Sequence, residues 1–155
     1  MAECIVCRGP ADEVGLLTRC SDGSCGALRW NKSAARKITK TSTGKEARAR
    51  QLLILDQAGY TGEDLAQWGR DHRSSVYVLR LRGGLDRVYV GMTGLHPVQR
   101  YLQHVTGYKA SSVAKRFATA LIYFESDMTS QEASDRERSL HQEYLDGGFD
   151  ALGGH

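Results

Sequence analysis

The chain has 155 residues, 41% hydrophobic and 25% charged, a globular composition at the length of one domain with at most a small appendage. Its net charge of +3 is unevenly spread: residues 29–50 hold 8 basic and 1 acidic side chains, residues 76–118 hold 7 and 1, and residues 119–155 hold 2 and 8. No apolar run approaches the roughly 20 residues of a membrane-spanning helix, and the first residues lack the apolar core of a signal peptide, so the expectation is a cytoplasmic protein. Two basic stretches point to a polyanionic partner, with a solvated charged surface as the bland alternative.

All four cysteines fall at the start of the chain, as Cys4-x2-Cys7 and, after an intervening stretch, Cys20-x4-Cys25. Two short thiolate pairs suit a tetrahedral zinc ion, each pair gripping it from one side. Gly9, Gly23 and Gly26 offer the tight turns that such knuckles need. Two disulfides would require an oxidising compartment, which nothing in the sequence signals. The expectation is a closed, structural zinc module over residues 1–30, since so short a segment has no core of its own.

Residues 31–74 read as a basic arm followed by two connector helices. Arg29, Lys32, Arg36, Lys37 and Lys40 lie at a density that neutralises phosphates without reading sequence, or that simply solvates a linker. Thr43 with Glu46 is a capping-box pattern, and Gly59 is placed to end the helix it starts. A second short helix opens at Thr61 and Asp64.

The third segment, residues 75–155, carries the chemistry. Residues 76–82 (VYVLRLR) and 87–91 (RVYVG) are β-rich runs around Gly83-Gly84, a hairpin signal. His96-Pro97 then opens a helix whose Val98, Tyr101, Leu102 and Val105 make the buried face. Arg100 and His104 fall on nearly the opposite side, four residues apart, on an exposed or cleft-lining face. A short helix over 111–118, with Lys115 and Arg116 as further phosphate contacts, leads to a strand over 121–125. Thr129 and Glu132 cap a last helix running to about Asp146, whose stripe of Ala133, Leu140 and Tyr144 includes Glu137. A carboxylate in that position needs a metal or a partner, unless it sits at the stripe edge and is met by Arg136 or solvent.

Strand parity adds one expectation. Tyr77 and Tyr89 share a sheet face only if the hairpin register is even in the sum of paired numbers, as with Arg82 opposite Val88 and Leu81 opposite Tyr89. Tyr77, Leu79, Leu81 and Tyr89 then carry one face, and Val76, Val78, Val88 and Val90 the other, with both hydroxyls opening onto a cleft that holds Arg100 and Glu137.

Taken in order, Ser75-Val76-Tyr77, Tyr89-Val90-Gly91, Arg100-x3-His104, the lone Glu137 and the closing GGFDALGGH resemble the GIY-YIG nuclease superfamily. Ser75 stands where that signature has its first glycine, and Met92 where some members have a lysine. The resemblance implies an α/β (α+β) domain with a small three-stranded antiparallel sheet flanked by helices, and metal-dependent hydrolysis of phosphodiesters. It implies that Glu137 binds Mg²⁺ or Mn²⁺ and that Tyr77 helps deprotonate water, its pKa depressed by the metal, Arg87 or Arg100. Tyr89 would stand beside the scissile phosphate, which Arg100 and His104 would contact. The expected function is a DNA endonuclease of restriction or phage-defence type, dimerising or nicking sequentially for a double-strand cut. The alternatives are a non-catalytic nucleic-acid-binding protein on a nuclease fold and a repair or mobile-element nickase.

Overall fold

A computed structural model describes residues 2–4, 7–14, 17–21, 27–30, 52, 55–56, 59, 63, 67–68, 74–83, 86–106 and 118–153. The fold is α+β. Eight strands, β1 (Ala2–Glu3), β2 (Pro10–Val14), β3 (Leu17–Cys20), β4 (Leu28–Trp30), β5 (Ser74–Leu81), β6 (Arg87–Thr93), β7 (Ala118–Met128) and β8 (Asp150–Gly153), form one sheet in the order β1-β2-β3-β4-β7-β5-β6-β8. Two helices are described in full, α1 (Pro97–Thr106) and α2 (Ser130–Asp146). Neither is long and apolar enough to cross a membrane.

The expected three-stranded antiparallel sheet is thus too small a description. Strands β6, β5 and β7 do form an antiparallel centre, but β8 adds to β6 in parallel, and β4 pairs with β7, so the N-terminal hairpins continue the same sheet. Strand β8 lies in the closing GGFDALGGH run, whose four residues flanked by glycines have almost no periodic signal of their own. Its terminal Gly153 has φ +80°, and a Cβ there would collide with the Val90 carbonyl, so only glycine fits. Strand β7 runs well beyond the expected 121–125 because register shifts against β5 let an irregular sequence keep pairing.

The hairpin has the expected parity at a different pairing. Leu79, not Leu81, faces Tyr89, with Tyr77 opposite Gly91 and Val78 opposite Val90. Val76, Val78, Val88 and Val90 pack with Ala133, Leu140 and Ala151, so α2 covers that face. The other face carries Tyr77, Leu79 and Tyr89 and is covered by α1, whose His104 bonds Tyr77.

Local chemistry fixes both helices. His96 caps α1 by accepting from the Val98 N–H at 3.2 Å, and Pro97 takes the first helical position, where no N–H is needed. Thr129 and Glu132 form the expected reciprocal capping box of α2, at 3.1 and 3.2 Å. The turn after α2 closes with Phe149 N–H on the Tyr144 carbonyl, and His141 Nε2 lies 2.8 Å from the Ala151 carbonyl, pinning β8 to the helix.

Of the connector region, Leu52, Leu55, Asp56, Glu63, Gln67 and Trp68 are helical, and Leu55 is buried. Gly59 adopts φ +91°, as its expected capping place requires. The helix expected over 111–118 falls outside the described residues, apart from Ala118, which begins β7.

Candidate functional site

Two clusters stand out. In the N-terminal hairpins, Cys4, Cys7 and Cys20 bring their sulfurs within 4.8 Å of one another, and the Cys7 and Cys20 sulfurs are 3.5 Å apart without a disulfide. Zn–S bonds of about 2.3 Å in a tetrahedron put sulfurs about 3.8 Å apart, so the spacing suits one metal ion. The turn around Cys7 has the Arg8 N–H on the Cys4 carbonyl and the Gly9 N–H on the Cys7 sulfur at 3.4 Å. The left-handed residue is Arg8, at φ 62°, rather than Gly9 as the sequence suggested. A non-glycine in that region is held by its surroundings, here by Cys4 N–H bonding back to the Gly9 carbonyl. Cys25 lies outside the described residues.

The second cluster is built on Tyr77. Its hydroxyl is 2.8 Å from His104 Nε2 in a buried contact. Its ring centroid is 6.4 Å from that of Tyr89 and 5.8 Å from that of His104, and the Tyr89 and His104 rings are 5.9 Å apart. The three rings form a compact triangle. Gly91, directly across the ladder, makes room: a Cβ there would lie 2.6 Å from both Cζ and the hydroxyl oxygen of Tyr77. Glycine is needed here for closeness of approach, its φ lying outside the left-handed region.

Charge converges on the same phenol. Burial pushes the Tyr77 pKa well above the ordinary tyrosine range, Tyr89 adds to that, Arg100 opposes it by charge and by a hydrogen bond, and Glu137 reinforces it. Of the expected sources of depression, Arg100 does lower it, but burial outweighs that, because removing a phenolate from water costs more than one guanidinium returns. His104 is pushed down to about 3, first by burial and then by Arg100. Both groups are neutral near pH 7. Arg100 has only donors, so it gives a proton bond to the Tyr77 oxygen, and the phenol in turn donates to His104 Nε2. That assigns the imidazole proton to Nδ1, which is buried with no partner among the described residues.

His104 is 0% exposed, where the helical wheel had placed it beside Arg100 on an exposed or cleft-lining face. Tyr101, Leu102, Gln103 and His104 are all buried, so α1 is enclosed over far more than one stripe. A polar ring tolerates that position because the Tyr77 hydroxyl gives it a partner. Its expected contact with a scissile phosphate is replaced by this internal one. Tyr77 is also sealed, at 1% exposure, so of this pair Tyr89 alone, half-buried, reaches the surface. The expectation of two open tyrosine hydroxyls is corrected accordingly.

Glu137 is 5% exposed and is the one buried carboxylate among the described residues. It sits on α2 with Ala133 and Leu140, on the side of the sheet opposite α1. Arg136 does not serve it: that guanidinium is held by Glu125 at 2.8 Å, Glu143 at 3.1 Å and Ser139 at 3.2 Å. The β6–β8 ladder stops at Val90 opposite Gly153, leaving the Gly91 end of β6 without a neighbour on that side among the described residues.

Arg29 is described in its backbone alone, in β4, while Lys32, Arg36, Lys37, Lys40, Lys115 and Arg116 lie outside the described residues. His96, which with Pro97 opens α1, caps the helix and also packs against Trp68, the rings tilted by 58° with centroids 4.6 Å apart, a contact the sequence did not signal. No protein-family model, curated protein or solved structure matches the chain.

Proposed function

We propose that the chain is a metal-dependent DNA endonuclease of the GIY-YIG type, with a structural zinc module at its N-terminus. The supporting observation is convergence: residues from β6, α1 and α2, namely Tyr89, Arg100, His104 and Glu137, all act on the single phenol of Tyr77 in β5. That is the set of residue types phosphodiester hydrolysis needs, since the reaction calls for positioning and charge neutralisation more than covalent help.

Arg100 is the movable part. Without substrate it covers the Tyr77 oxygen. A DNA phosphate beside Tyr89 draws the guanidinium outward and leaves that oxygen free to accept a proton from the attacking water. The phenolic proton passes to His104 Nε2 as the water proton arrives, so Tyr77 never carries a full charge in its buried position. The phosphate charge also offsets the Arg100 field, which adds to burial in lowering the imidazole pKa. The new P–O bond forms from the water oxygen, and the bond to the leaving sugar oxygen breaks with its electron pair, which takes a proton from solvent. Glu137 would hold Mg²⁺ or Mn²⁺, a hard cation for which one carboxylate plus water suffices and which supplies charge neutralisation at the phosphate. Cys4, Cys7, Cys20 and Cys25 would hold zinc.

Burial of Tyr77 and His104 favours a second reading, a nucleic-acid-binding protein without catalysis on the same fold. Nicking of supercoiled plasmid by purified protein with Mg²⁺ or Mn²⁺, against Glu137→Ala, decides between them. Metal-dependent nicking lost in Glu137→Ala supports the endonuclease, and DNA binding without nicking in either protein supports the second reading.

A further inference from the structure

The sheet face that carries Tyr77 continues into a second aromatic group. Phe124 of β7 stands directly opposite Tyr77 in the β5–β7 ladder, so both side chains leave the same face. The Phe124 ring lies 6.3 Å from His96, and His96 lies 4.6 Å from Trp68, centroid to centroid. With Tyr89 and Tyr77 on the other side, five rings cross the molecule from β6 to the connector region. The other four are buried or half-buried, yet Phe124 is 42% exposed in mid-strand. The ladder with β4 involves Leu121 and Ala120, so β4 does not extend alongside Phe124.

From this row we infer that Phe124, backed by His96, is a stacking platform for an unpaired nucleobase of the DNA strand held at the Tyr77 site. The inference rests on the DNA reading above and adds a substrate preference to it. A flat half-exposed ring suits any base, because every base has a π-face, and such stacking is tolerant of sequence. The described neighbours fit a polyanion: Arg100 of α1 reaches Tyr77, directly opposite Phe124, and the first turn of α1, which His96 caps, contains no acidic residue. The strand backbone would lie toward Arg100 and the helix terminus while a base turns onto Phe124. Duplex DNA stacks its bases internally, so the platform acts only where the helix is opened or distorted.

The test measures the affinity of the full chain for two probes of one sequence: a plain hairpin duplex, and the same duplex with a short bubble of unpaired thymines. Wild type binds the bubble more tightly. Phe124→Ala loses that preference, by roughly tenfold in bubble affinity, with duplex affinity little changed, and Phe124→Trp restores it. Equal affinity of wild type for the two probes, or Phe124→Ala weakening both alike, overturns the platform. Plasmid nicking in the same preparations separates the failures: if nicking persists while the preference is absent, the platform falls and the endonuclease stands. If wild type binds neither probe, both fall.

Discussion

Tyr77 stands directly across the ladder from Gly91, and its ring lies where any side chain at 91 would go. The second tyrosine motif therefore ends in glycine because the first tyrosine lies on top of it. Gly91→Ala would place a methyl 2.6 Å from the Tyr77 hydroxyl and Cζ. The ring must shift off His104, since the neighbouring backbone is locked in the sheet. Urea denaturation should show a loss of about 1–3 kcal/mol, the range for overpacked cores, and plasmid nicking should fall with it. A Gly91→Ala protein of unchanged stability would show that the ring is not confined.

Tyr77→Phe keeps the ring and removes only the hydroxyl. His104 then has no partner for Nε2 as well as none for Nδ1. The expected cost is about 1–3 kcal/mol, that of an unsatisfied buried polar group. In Tyr77→Phe/His104→Phe both polar partners are gone, and stability should recover relative to His104 left alone. A double-mutant cycle in urea measures the coupling.

Acid should weaken the fold through the same pair. His104 titrates at about 3 in the folded chain and at about 6.5 when unfolded, so the unfolded chain binds the proton first as pH falls. Stability is complete above about pH 6.5 and declines below it, by up to about 1.4 kcal/mol per pH unit for one such group. His96, also lowered by burial, works in the same direction. Tyr77 supplies the alkaline counterpart: its raised pKa means that the unfolded phenol ionises first, so stability falls again above about pH 10. Denaturation midpoints across pH should trace this dome, and His104→Gln should flatten its acidic limb.

Removing metal should act on the N-terminal hairpins first. Cys4, Ala11, Cys20 and Ala27 are the buried residues of their small core, and two of the four are candidate ligands. Elemental analysis should find one zinc per chain, and chelation or Cys20→Ser should abolish it with loss of strand signal in circular dichroism. Cys25→Ser should lower zinc affinity too, marking it as the fourth ligand. Retention of the hairpins after complete removal of zinc would make the cluster incidental.

What could be read from the sequence was whatever is local. The Thr129–Glu132 box, Pro97 at the start of α1 and the pairing parity of Tyr77 with Tyr89 depend on neighbours in the chain or on strand alternation. What could not be read depends on distant partners. A helical wheel scores polarity and left His104 between an exposed and a cleft-lining place; its full burial is made tolerable by the hydroxyl of Tyr77, 27 residues away. The β4–β7 pairing was hidden for a similar reason: two short ladders far apart in sequence carry no signal until they meet. Glu137 was placed correctly on the buried stripe, but its separation from α1 by the sheet needed both hydrophobic faces to be known.

The cross-strand register sets a row that runs Asp12, Arg19, Leu28, Leu121, Leu79, Tyr89, Leu152, one residue from each strand from β2 to β8. Strands lie about 4.8 Å apart, so Leu28 at the edge of the cysteine hairpins and Tyr89 at the candidate cutting site are about 14 Å apart along this row. Duplex DNA advances about 3.4 Å per base pair, which makes that separation about four base pairs. The sheet is then a ruler. A nuclease built on it would cleave at a fixed, short offset from whatever its N-terminal strands touch, because no hinge within that row lets the gap be stretched.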